Sequence, residues 1–142
     1  MTKFRAEFPD YAEIDSAVFY YLFTEFFLMI DSRAKNMFVG FHGSQISDNS
    51  RAMTRKAVFE PYDMDTALGT NNSGVLMFSY SLEDTDTVGG VIVNGSDADV
   101  FNAQQSVLWL NVRDAYRPEI TSMYRNLRTG AWSYDIVENL FE

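Results

Sequence analysis

The sequence predicts an α+β fold, in which helices and a small antiparallel sheet occupy separate stretches of chain. Three observations lead there. A long apolar run without strand-like alternation fills residues 17–30. Two short β-rich runs, "MFVGFHG" and "KAVFEPY", follow it with a polar stretch between them. The last third then carries apolar residues at three- and four-residue intervals. Helix, hairpin, loop and helices in that order differ from the strand–helix alternation that builds a parallel sheet.

The first helix has a start signal: Asp10 is the expected N-cap, and Glu13 three residues on gives capping-box spacing. From Ile14 to Ile30 the chain is apolar almost all round, which suits a central, buried helix. Glu25 interrupts it, and the expected arrangement is a satisfied acid partnered by Arg33 or by a backbone amide. The run "AVFYYLFTEFFLMI" is too short for a bilayer core of about 30 Å and holds a carboxylate. It also lacks a basic start, so it is neither a span nor a signal peptide, and no membrane partner is expected. "DSRAKN" at 31–36 ends the helix.

"MFVGFHG" and "KAVFEPY" read as antiparallel strands, with residues 44–55 as a long polar loop between them. His42, the lone histidine, lies beside Gly40, Phe41 and Gly43 and reads as a turn residue. "NNSGVLMFSY" reads as a turn plus a short strand, and residues 83–99 as an acidic, glycine-containing loop. Asp99 or Asn102 is the expected cap of a helix through Val107, Leu108, Val112 and Tyr116. Pro118 opens the next helix, with Ile120, Met123, Tyr124 and Leu127 on one face and Gly130 past its end. Ser133 caps a last short helix carrying Ile136, Val137, Leu140 and Phe141.

The 142 residues are expected to form one domain over 1–142, and an aromatic fraction of 15% argues against disorder. The net charge of −9, with lysine only at Lys3, Lys35 and Lys56, repels a phosphate backbone, so no nucleic-acid partner is expected. There is no cysteine, and a single histidine excludes multi-histidine zinc sites. Trp109 and Trp132 have apolar neighbours and are assigned to the core or to an interface. "SLEDTD" reads as a solvated loop.

One stretch carries chemistry. Asp63 and Asp65 follow a strand on alternate positions, and two acids held that close repel unless a cation lies between them. A calcium loop counted from Asp63 fails: its fifth, sixth and twelfth positions are Ala67, Leu68 and Gly74. Upstream, Asn36 follows Asp31 by five residues. Phosphoryl-transfer enzymes use such a set: an Asp at the substrate hydroxyl, an Asn five residues on at a metal, and an Asp beyond the hairpin at Mg²⁺. The structural alternatives are a helix-terminal Asp31 bonded to Arg33 or Lys35, and an Asx turn at Asp63 and Asp65. An acid at a helix C-terminus opposes the macrodipole, which weighs towards a role for Asp31.

"FLMIDSRAKNMFVGF" followed by "EPYDMDTALG" resembles the CotH-type spore-coat kinases, which are atypical protein kinases. The resemblance implies a kinase C-lobe-like architecture, with Asp31 at the base position and Asn36 at a metal position. It puts Asp63 or Asp65 at the Mg²⁺ position. ATP is implied only where an N-lobe is supplied, because no glycine-rich loop precedes Asp31 and Lys3 is the sole upstream lysine. The gap from Asn36 to Asp63 is also longer than the kinase pattern. Residues 8–141 are in addition similar to a segment of large, tail-associated virion structural proteins of bacteriophages of gut bacteria. That likeness implies a piece of a longer protein, located in the virion or the host cytoplasm. Its implied partners are other virion proteins or the rest of the same polypeptide, with a homo-oligomer as a further expectation. Two functions follow: a virion interaction module retaining a kinase-like metal cleft, or an ATP/Mg²⁺-dependent phosphotransferase whose N-lobe lies elsewhere.

Overall fold

The computed structural model describes residues 2–29, 32–33, 36–45, 53–64, 67–69, 87–88, 91–92 and 106–140. Their order is α1 (Thr2–Glu7), a 3-10 turn (Phe8–Asp10), α2 (Ile14–Phe26), β1 (Met37–Gln45) and β2 (Met53–Pro61). A turn (Ala67–Gly69) and the two-residue strands β3 (Thr87–Val88) and β4 (Val91–Ile92) follow, then α3 (Val107–Ala115), α4 (Arg117–Arg128) and α5 (Tyr134–Glu138). Five helices and small antiparallel pairs make this an α+β chain, as the order of sequence patterns predicts.

α2 is the central element. Ala17, Val18, Tyr20, Leu22 and Thr24 are buried, and the helix packs on β2, α3 and α4. The core is largely aromatic. Tyr20 stacks on Trp109 at 5.4 Å, Phe59 meets the Trp109 edge at 5.2 Å, and Phe26 lies flat on Trp132 at 4.5 Å. Both tryptophans are therefore core residues, held in place by rings from α2. Among the described residues no helix is long and apolar enough to cross a membrane.

Both ends of α2 differ from the sequence expectation. Asp10 belongs to the 3-10 turn, and the N-cap is Glu13, whose side chain caps nothing. The reason is a competing use of the backbone. Ala57 N–H donates to the Tyr11 carbonyl at 2.7 Å and Glu13 N–H to the Ala57 carbonyl at 2.9 Å, so residues 11–13 clip onto β2 as a parallel bridge. At the other end the helix stops at Phe26 rather than Ile30. Leu28 takes a left-handed φ of 45°, Leu28 N–H bonds to the Glu25 carbonyl, and Met29 N–H bonds to the Thr24 carbonyl at 2.9 Å. This is a Schellman ending with leucine where glycine is usual, and it turns Met29 inwards to a buried position.

β1 and β2 pair antiparallel in an unbroken register from Met37↔Pro61 to Gln45↔Met53. The strands thus take in residues at both ends of the stretch expected to be loop. His42 is a ladder residue opposite Lys56, not a turn residue. Phe59 is the buried anchor of β2, and its N–H donates to Ser16 Oγ at 2.8 Å, which ties strand to helix. β3 and β4 lie within the stretch expected to be loop, where β-branched residues flank the Gly89-Gly90 pair of the sequence. The strand expected in "NNSGVLMFSY" lies outside the described residues, and the N-cap of α3 is Ser106 rather than Asp99 or Asn102, because the helix starts only at Val107.

Pro118 opens α4 as predicted, and Ile120, Met123 and Leu127 pack on the core. Tyr124, expected on the same face, is instead exposed. Ser133 is the N-cap of α5 by position, although its hydroxyl makes no capping bond, and Ile136 and Leu140 are exposed. α1 docks across the junction of α3 and α4. Arg5 donates to the Ala115 carbonyl and to Glu119, Tyr116 Oη donates to the Arg5 carbonyl at 3.2 Å, and Phe4 stacks on Phe8 at 4.6 Å beside Tyr116.

Candidate functional site

Two backbone hydrogen bonds tie the helix exit to the hairpin exit. Leu68 N–H donates to the Phe27 carbonyl at 2.6 Å, and Tyr62 N–H donates to the Asn36 carbonyl at 3.1 Å. The two stretches between these ties, 28–35 and 63–67, are the ones that carry the predicted site. Asn36 and Asp63 come to one end of the hairpin, because Asn36 stands across from the residue preceding Asp63. Asn36 is half-buried and Asp63 exposed. Asp31 and Asp65 lie outside the described residues.

Backbone strain gathers at the same end. Among the described residues the non-glycine ones with positive φ are Leu28 (45°), Asp63 (51°) and Leu68 (60°), and a left-handed leucine costs about 1–2 kcal/mol. Such residues persist where surrounding contacts over-determine them, and they concentrate at functional sites. The ties at Phe27 and Asn36 are contacts of that kind.

Behind this end lies a buried polar layer. Ser32 and Arg33 are both buried. The Arg33 guanidinium pairs with Glu25 and sits over the Tyr21 ring at 4.9 Å, while Trp109 Nε1–H donates to the Arg33 carbonyl at 3.3 Å. Tyr20 Oη donates to the Ser32 carbonyl at 2.6 Å and approaches the Asn36 carbonyl at 3.4 Å. Burial pushes the Tyr20 phenol well above its ordinary range and also raises Tyr21, so Tyr20 keeps the proton it donates across neutral pH. The Glu25–Arg33 partnership follows the sequence expectation, with a difference in burial: the Arg33 side chain is 3% exposed and that of Glu25 38%. Ser32 Oγ and Arg33 Nε are buried without a hydrogen-bond partner.

Beside this layer an open cavity of about 400 Å³ is lined by Leu22, Glu25, Phe26, Leu28 and Tyr124. Sequence reasoning assigned Trp109 to the core or an interface but did not reach its bond to the Arg33 carbonyl, 76 residues away, nor the bond from Tyr20 to the Ser32 carbonyl; no local spacing signals either.

Among the described residues no group of three or more His, Cys, Asp or Glu stands ready to hold a metal ion. Asn36 and Asp63 supply one amide oxygen and one carboxylate. These are donor types that Mg²⁺ takes, in a shell that water or phosphate oxygens would have to complete. No protein-family model, curated protein or solved structure matches the chain.

Proposed function

We propose that the chain is a structural and interaction module of a bacteriophage virion, with a kinase C-lobe-like end that serves architecture rather than catalysis. The observation that carries this reading is the apolar surface of the hairpin. Phe38 and Tyr62 are exposed on the face turned away from the core, and their rings lie 4.4 Å apart. A cluster of exposed apolar side chains marks a contact surface. The setting rests on the resemblance of residues 8–141 to tail-associated virion proteins read from the sequence, which no comparison with known proteins bears on.

A second reading is a CotH-like phosphotransferase that takes Mg²⁺ and ATP, with Asp31 as base and Asn36, Asp63 and Asp65 as metal ligands. The paired backbone ties and the three left-handed residues at one end favour it. Thermal melts with Mg²⁺, with ATP and with both separate the two. The module reading expects no shift with Mg²⁺–ATP. The enzyme reading expects about 2.7 kcal/mol of stabilisation at a hundredfold excess over Kd. That gain should vanish in Asp63→Ala and in Asp31→Ala. A shift abolished by both substitutions overturns the module reading.

A further inference from the structure

One edge of β1 faces no other strand among the described residues. The parity of the ladder identifies the groups along it. Tyr62 N–H bonds to the Asn36 carbonyl, so the even-numbered residues of β1 address β2. β2 obeys the same rule: odd-numbered Ala57 and Phe59 turn the other way, to Tyr11, Glu13 and Ser16. Met37, Val39, Phe41, Gly43 and Gln45 therefore direct their N–H and C=O groups outwards. Long edge strands are ordinarily guarded by a charge, a proline or a bulge. "MFVGFHGSQ" has no charged residue, although 22% of the chain is charged, and it has no proline and no break in register. Val39 and Phe41, on the core-facing side of the sheet, are 42% and 63% exposed.

We infer that β1 pairs antiparallel with β1 of a second copy across a two-fold axis at Phe41, forming a continuous four-stranded sheet. This register uses all nine strand residues. Phe41 meets Phe41 of the partner subunit, and Val39 meets Gly43 of the partner subunit. Phe38 meets Ser44 of the partner subunit. The pair of rings on the axis is the kind of cross-strand aromatic contact that stabilises a ladder. Charge selects a second copy at this place. Two chains of −9 repel wherever their acidic surfaces meet, but β1 is neutral. With strands about 4.8 Å apart, the charged β2 strands of the two copies stand about 14 Å apart, beyond the ~8 Å physiological Debye length. The two-fold consumes both free edges, so the assembly closes as a dimer. The inference goes beyond the virion reading, since it follows from β1 alone, and the Mg²⁺–ATP melts do not bear on it.

The chain has no cysteine, so a single introduced thiol reports a single contact. In the full chain, Phe41→Cys places two Cα atoms about 5.5 Å apart across the axis, within disulfide reach, and should give a covalent dimer on mild oxidation. Val39→Cys places its two copies about 14 Å apart and should not cross-link. By light scattering after size-exclusion chromatography, the parent is expected to be a dimer. Val39→Lys should be a monomer with an unchanged far-UV spectrum, and Ile136→Lys, on the exposed face of α5, should remain a dimer. A parent that is monomeric up to about 100 µM, where a micromolar dimer is saturated, overturns the inference. So does cross-linking of Val39→Cys as fast as Phe41→Cys, a dimer that survives Val39→Lys, or open-ended assembly.

Discussion

Removal of a single oxygen, by Tyr20→Phe, tests whether the buried polar layer holds the segment that leads into Asn36. Tyr20 is 1% exposed, and its one proton serves the Ser32 carbonyl at 2.6 Å, with the Asn36 carbonyl at 3.4 Å as a weaker second acceptor. Ser32 is fully buried, so water cannot take the place of the lost donor. The ring itself stays, stacked on Trp109, and no cavity larger than a hydroxyl is left. The loss is therefore that of one buried hydrogen bond with its acceptor stranded, about 1–3 kcal/mol. For a chain of this size each kcal/mol moves Tm by roughly 4 °C, so the variant should melt about 4–12 °C below the parent. Differential scanning calorimetry gives the shift, and urea unfolding should show a lower midpoint at unchanged slope. A second readout is spectroscopic. Burial holds the Tyr20, Tyr21 and Tyr116 phenols above their ordinary value of 10.0, so these three should ionise late in an alkaline titration. Tyr20→Phe should delete one late-titrating group. Melting within about 1 °C of the parent, well inside the expected loss, would refute the stranded-carbonyl reasoning.

Phe59→Ala removes the ring that β2 packs against both Tyr20 and Trp109 and should cost about 3–5 kcal/mol in urea unfolding, whereas Val39→Ala directly across the ladder should cost under about 1 kcal/mol in the monomer. Glu25→Gln strands the buried Arg33 charge and should destabilise by about 1–3 kcal/mol, discounted from a fully buried pair because Glu25 is partly exposed. Arg33→Met removes the buried charge and leaves Glu25 able to hydrate, so it should cost less, a ranking that chemical denaturation reads directly. The hydrogen bond from Arg5 holds the Glu119 carboxyl below its ordinary 4.5. A depressed folded-state value gives stability that is complete above pH 4.5 and lost as pH falls through the lowered value, so the melting difference between parent and Glu119→Gln should narrow in acid. The raised Tyr20 value has the opposite sense: its contribution is complete below pH 10.0 and lost in strong alkali, where the parent should unfold with the appearance of phenolate absorbance.

The order of elements was legible because apolar periodicity and turn residues are local signals. Pro118 marks α4, and the two β-rich runs mark the hairpin, whatever the rest of the chain does. What escaped was set by tertiary contact. α1 is only six residues, and it is held by docking on Tyr116 rather than by its own propensity. Asp10 and Glu13 have the spacing of a capping box, yet the backbone they would serve is used by β2. Leu28 ends α2 in a conformation that no leucine advertises. At the candidate site, motif order singles out Asn36 and Asp63 and the hairpin brings both to one end, while Asp31 and Asp65 lie outside the described residues. Tyr20 was hidden in an apolar run, where nothing marks one tyrosine as a hydrogen-bond donor to a carbonyl twelve residues on.

The docking of α1 joins partners that synthesis keeps apart. Arg5 and Tyr116 are 111 residues distant along the chain, and Arg5 and Glu119 are 114 apart. On a ribosome the aromatic pair Phe4 and Phe8 leaves the exit tunnel well before the Tyr116 cradle it packs against. α1 is thus made ahead of the partners that staple it, and during that wait its rings are the surface a holdase would grip.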